Sequence, residues 1–174
     1  MQVIGETTST ARAPRKRYIG ERAVYHVTVS AKAGLPDPRG AALQKDVRDL
    51  GIRGLRSARV SDIYTITGDV THTCVERICR ELLADTLVQD YSIGVLMEPA
   101  HKGVHVIEIV YNPGVPNPAE DAIRKGIRDM GIEGVESVKT ARRYYLGGLL
   151  NENTVKTIAG KLLMNPAIQH MVTG

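Results

Sequence analysis

Tyr25, Val27, Val29 and Ala31 alternate with polar neighbours, the two-residue period of a half-buried strand. Asp37-Pro38 comes next as a helix start, because Asp at the N-cap accepts from unpaired N–H groups and Pro at the first position gives up no helical bond. Ala42, Leu43, Val47 and Leu50 then recur at helical spacing, and Gly51 supplies the stop. The pattern next predicts two short strands, Leu55–Val60 and Ile63–Thr67, joined around Ser61-Asp62. A second helix is expected from about Thr71, where Val75, Ile78, Cys79, Leu82 and Leu83 form one apolar stripe. A last strand covers Leu87–Ile93.

The whole pattern then repeats at an offset of 80 residues. Pro36-Asp37-Pro38 returns as Pro116-Asn117-Pro118, and Leu50-Gly51-Ile52-Arg53-Gly54 as Met130-Gly131-Ile132-Glu133-Gly134. Tyr64 maps onto Tyr144, Leu82-Leu83 onto Leu162-Leu163, and Gln89 onto Gln169 without a gap. The chain therefore divides into a leader over 1–22, one copy over 23–98, a linker over 99–102 and a second copy over 103–174. Strand, helix, strand, strand, helix, strand in each copy is the α+β ferredoxin-like βαββαβ order. A unit of this size buries a thin core by itself. The expectation is two tandem units packed as an intramolecular pseudo-dimer, the second copy covering the open sheet face of the first.

Composition narrows the function classes. The hydrophobic share of 43% and charged share of 24% are those of a globular chain. No apolar run approaches the roughly 20 residues of a membrane helix, and nothing resembles a secretory signal. Two cysteines make no disulfide framework, so a reducing cytoplasm is the expected compartment. The net charge of +4 resides mostly in the leader, where Arg12, Arg15, Lys16, Arg17 and Arg22 face only Glu6 and Glu21. The body is almost neutral and contains no Phe or Trp. Nucleic-acid readers need concentrated positive charge and stacking aromatics, so nucleic acid is not the expected partner.

The residues that could carry chemistry do not assemble into a catalytic set. Cys79 corresponds to Ala159 in the other copy, which marks a small packing site rather than a nucleophile. The five histidines show no metal spacing, His101 falling in the linker. The loop from Gly34 to Gly40 lacks the Lys-Ser/Thr of a phosphate loop. No cofactor, metal or catalytic residue is expected. Arg142-Arg143-Tyr144-Tyr145 reads as a hairpin turn entering the sheet and a candidate partner contact, and Asp85 and Asn165 as ends of the second helices.

Leu35-Pro36-Asp37-Pro38-Arg39-Gly40, Ile78-Cys79-Arg80-Glu81-Leu82-Leu83-Ala84-Asp85 and Val88-Gln89-Asp90-Tyr91 resemble the PurS family. Copy two resembles it through Asn112–Pro118, Leu162–Pro166 and Ile168-Gln169. Asp85 stands where the family has Asn, and Asn117 where it has Asp; both swaps keep capping chemistry. The doubling resembles the PurS-pair segment that precedes the synthase domain in fused phosphoribosylformylglycinamidine (FGAM) synthases. The resemblance implies a non-catalytic component of that ATP- and glutamine-dependent ligase of purine biosynthesis. It would bridge a PurL-type synthase and a PurQ-type glutaminase for ammonia transfer, and a homo-oligomer is also compatible. The partner contacts expected for that role lie outside the packed stripes: Pro36, Asp37, Pro38, Arg39 and Gly40; Pro116, Asn117 and Pro118; Arg142, Arg143, Tyr144 and Tyr145; and Asp85 with Asn165. Two other readings stay open: a regulatory module binding a small molecule between the units, and an RNA-binding module using Tyr25, Tyr64, Tyr144 and Tyr145.

Overall fold

The computed structural model describes residues 17–19, 22–94 and 102–173. A short strand β1 (Arg17–Ile19) and the predicted alternating strand β2 (Arg22–Ala31) open the chain. Helix α1 (Pro38–Asp49) starts at the expected cap and leads into β3 (Leu55–Gly68). Helix α2 (His72–Ile78) widens into a π-helical turn at Cys79–Leu83 before β4 (Gln89–Ile93). Copy two repeats the order with β5 (Val104–Tyr111), α3 (Pro118–Asp129), β6 (Val135–Gly148), α4 (Glu152–Ile158), a π turn at Ala159–Leu163 and β7 (Gln169–Thr173). Most of the leader expected over 1–22, and most of the linker over 99–102, lie outside the described residues.

All the strands join in one antiparallel sheet, β1-β2-β3-β6-β5-β7, with β4 on the same edge of β2 as β1. The copies are thus a pseudo-dimer built side by side, not by one sheet covering the other. The seam is β3 against β6, paired from Leu55↔Gly148 to Gly68↔Val135. This pairing corrects two sequence expectations at once. Leu55–Val60 and Ile63–Thr67 fall in one strand of 14 residues, and the repeat of this pair in copy two, with its expected turn at Arg142-Arg143, is likewise the single strand β6. A tight hairpin needs residues at positive φ, and Ser61-Asp62 and Arg142-Arg143 have none. The first half of β3 finds its hydrogen-bond partners in the other copy instead.

The register locates the pseudo-two-fold axis. Asp62 pairs with Arg142, and these two residues are separated by the repeat offset itself. At both ends of the seam glycines let the backbones touch: a Cβ on Gly68 would lie 2.0 Å from the Gly134 carbonyl oxygen, and one on Gly148 would lie 2.0 Å from that of Gly54.

Cross-strand pairing puts the buried residues of both cores on one sheet face, beneath the helices. The cores exchange helices between copies. One joins β2 and the second half of β3 to Val75, Ile78 and Cys79 of copy one and to Ile127, Ile132 and Val138 of copy two. The other joins Ile107, Ile109, Tyr144, Leu146, Val155 and Ile158 of copy two to Leu43, Val47, Ala58 and Val60 of copy one. Neither copy owns a complete core, which accounts for two thin units sharing one chain. Cys79 and Ala159 are both fully buried at equivalent positions. The π turns end the expected apolar stripe early, leaving Leu82 37% exposed. A π turn adds a residue to the turn and rotates the next side chains off the 3.6-residue stripe.

Candidate functional site

The first helices of both copies begin beside the pseudo-two-fold axis, and their caps tie them to the sheet. The Asp37 carboxylate accepts from the Arg39 N–H at 3.0 Å and, with its other oxygen, from the Val60 N–H at 2.7 Å. Copy two divides that task. Asn117 accepts from the Ala119 N–H at 3.1 Å and donates to the Thr140 hydroxyl at 2.8 Å, while Glu120 accepts from the Thr140 N–H at 3.1 Å. The Glu120 position corresponds to Gly40, where a Cβ would lie 2.1 Å from the Ala58 carbonyl oxygen. Helix α1 therefore starts closer to its strand than α3 does.

Charges converge on the axis. Arg39 donates to the Asp62 carboxylate at 2.6 Å and to the Val60 carbonyl at 3.2 Å. Arg142 donates from Nε to the other Asp62 oxygen at 3.3 Å. One carboxylate thus holds two guanidinium groups from different copies. Tyr64 lies on the same face, the pKa of its hydroxyl pushed up to about 12 by burial and then by Asp62. Burial likewise pushes the Cys79 thiol up to about 12. A protonated buried thiol is no nucleophile, which agrees with the packing role expected for it.

The predicted contact residues divide by exposure. Pro36, Pro38, Pro116, Pro118, Arg142, Asp85 and Asn165 are exposed, and Asp37, Arg39 and Tyr145 half-buried. Gly40, Asn117, Arg143 and Tyr144 are buried and present no surface to a partner. Arg143 sits mid-strand, 2% exposed, with Nε donating to Glu108 at 2.7 Å. Tyr25 and Tyr144 are buried beneath the helices, so the base-stacking platform of the RNA reading does not form there.

The fold brings separate candidates together at two corners. In copy one Lys32 donates through its backbone to the Val88 carbonyl and through its ammonium to that of Thr86, joining the Pro36 loop to the Asp85 turn. Asp85 accepts from the Leu87 N–H at 3.1 Å. In copy two Asn112 donates to the Ile168 carbonyl, and Asn165 accepts from the Ala167 N–H, which places Pro116 and Asn165 alike. The copy-one corner also exposes Leu35, Leu87 and Val88, at 46%, 83% and 49%. Sequence reasoning misses these three as contacts. The available signal is the repeat itself, since copy two carries Val115, Ala167 and Ile168 there.

Among the described residues no group of His, Cys, Asp and Glu could hold a metal ion, and no helix is long and apolar enough to cross a membrane.

The family model described as PurS, phosphoribosylformylglycinamidine (FGAM) synthase, matches residues 24–97 and again 104–173. No curated protein matches the chain. Among solved structures it is similar to B. subtilis PurS in a C2 crystal form, at 26% identity over 40% of this chain and 92% of that one, with a TM-score of 0.37. It is also similar to Methanocaldococcus jannaschii PurS, described as one of the subunits of formylglycinamide ribonucleotide amidotransferase in the purine biosynthetic pathway. That likeness is 24% identical over 40% of this chain and 90% of that one, with a TM-score of 0.35.

Proposed function

The chain belongs to the PurS family, that of an FGAM synthase subunit of purine biosynthesis, and from that premise we propose that it is the bridging component between synthase and glutaminase. In this reading it contributes no reacting group. It holds a PurL-type synthase and a PurQ-type glutaminase in the cytoplasm so that ammonia passes between them without meeting bulk water. Ammonia released at neutral pH is protonated and lost as a nucleophile, so a shielded route has a chemical purpose.

The observation that carries the reading is the pair of corners on one continuous sheet. Each joins a proline loop to a helix-end turn, and the two are related by a pseudo-two-fold axis but differ in how much apolar surface they expose. Leu35, Leu87 and Val88 make the copy-one corner apolar, and exposed apolar patches of this kind suit a protein partner. A pseudo-dimer with unlike ends can hold two unlike partners, which an identical homodimer cannot do without choosing.

Glutamate and amidine production with the cognate synthase and glutaminase tests the role. The subunit should be required when glutamine is the nitrogen source and dispensable when ammonium chloride is, because external ammonia bypasses the glutaminase. Full glutamine-dependent turnover without the subunit would remove the bridging role.

A further inference from the structure

The two residues that face each other on the axis are opposite in charge, Asp62 from copy one and Arg142 from copy two. In copy one Arg39 runs from α1 to the sheet and caps the Asp62 carboxylate and the Val60 carbonyl. The equivalent positions in copy two are Ala119, Arg142 and Thr140. The bridging cation is gone, its carboxylate target has become a guanidinium, and α3 stands off the strand where Glu120 replaces Gly40. A cavity of about 280 Å³ occupies the space, with Asp62, Ala119, Thr140 and Arg142 in its wall. Tyr64, Tyr111 and Tyr144 line it as well, and Ile123 and Leu163 supply apolar surface.

We propose that this cavity is a binding site for a small oxyanion, a carboxylate or phosphate group carried on a compact metabolite, with Arg142 as its charged anchor. The occupant takes the place that Arg39 takes in copy one, and it must have the opposite sign because the residue awaiting it has the opposite sign. A guanidinium presents several N–H donors in a planar fork; that of Arg142 donates from Nε to Asp62, at a long 3.3 Å, and also hydrogen-bonds the Tyr144 side chain, and its remaining donors are the ones a ligand would take. Asp62 does not cancel Arg142, since Arg39 holds its other oxygen at 2.6 Å. Glu120, the other carboxylate nearby, is engaged by the Thr140 N–H and by Lys139 at 3.0 Å. The volume exceeds what one oxyanion group fills, and tyrosine rings with aliphatic neighbours accept the remainder of an organic molecule.

The site stands apart from the bridging role and would survive its failure. The test monitors the ring resonances of Tyr64, Tyr111 and Tyr144 in the full chain as inorganic phosphate, succinate or sodium chloride is added at matched ionic strength. Phosphate or succinate should shift all three saturably, with a dissociation constant of about 1 mM or tighter, and chloride should not. The better of the two probes identifies the class of group. Arg142→Gln should weaken binding at least tenfold, and Ala119→Met, which fills the space from an exposed position, should do the same. Asp62→Asn should tighten it several-fold by removing the competing carboxylate. Thermal melts of each variant establish that the fold is kept. Non-saturating shifts, equal shifts with chloride, or unchanged binding in both Arg142→Gln and Ala119→Met would overturn the site.

Discussion

Asp37 and Asn117 occupy equivalent positions, yet the loss of each should cost a different amount. Asp37→Ala removes an N-cap and orphans the Val60 N–H as well, so it should destabilise the protein by about 2 kcal/mol. Asn117→Ala leaves the Thr140 N–H satisfied by Glu120 and should cost about 1 kcal/mol. Urea unfolding of the two variants measures the difference. Cys79 and Tyr64 both weaken the fold on the alkaline side. Both groups titrate at about 12 in the folded chain, above their ordinary values of 9.0 and 10.0. The unfolded chain therefore releases its protons first as pH rises. Their contribution is complete below pH 9 and is lost upward from there towards pH 12, at up to about 1.4 kcal/mol per pH unit for the buried thiol. Unfolding midpoints against pH should fall from about pH 9, and Cys79→Ala should move the onset towards pH 10, where Tyr64 takes over.

Helix α1 depends on a close approach that α3 does not make. Gly40→Ala would press a methyl group against the Ala58 carbonyl oxygen, 2.1 Å from the ideal Cβ position. The helix must lift, at a cost of about 1–3 kcal/mol, loosening Leu43 and Val47 in the second core. A crystal structure or a melt of this variant checks the displacement. The seam strands differ from the sequence expectation for a reason that belongs to this scale. Alternation is visible in Leu55–Val60 and in Ile63–Thr67, but pairing partners are not encoded locally. The missing glycine at Ser61-Asp62 is the one local sign that no turn intervenes. Arg142-Arg143 lies mid-strand rather than at a turn for the same reason.

For the whole molecule, the exchanged helices predict that neither copy folds alone and that the two complement each other. Residues 22–94 and 102–173, produced as separate chains, should gain a cooperative melt only when mixed. Self-pairing would set Asp62 against Asp62 or Arg142 against Arg142 on the axis, whereas the mixed pair restores the observed bridge. Sedimentation and circular dichroism of each half and of the mixture decide this, and stable homodimers of either half would contradict it. At the same scale, Leu87→Asp on the exposed corner should leave the melt unchanged and weaken assembly with partner components, read by co-sedimentation. The duplication, the caps at Asp37 and Asn117, the alternating strands and the packing role of Cys79 were determined by sequence, because each rests on contacts within a few residues or on the repeat itself. The side-by-side sheet, the helix exchange, the Asp62–Arg142 axis and the cavity beside Ala119 were decided only by tertiary structure. Hydrogen bonds of a strand and the neighbours of a buried helix face can be met by any complementary surface of the chain, and only the packed whole selects which one.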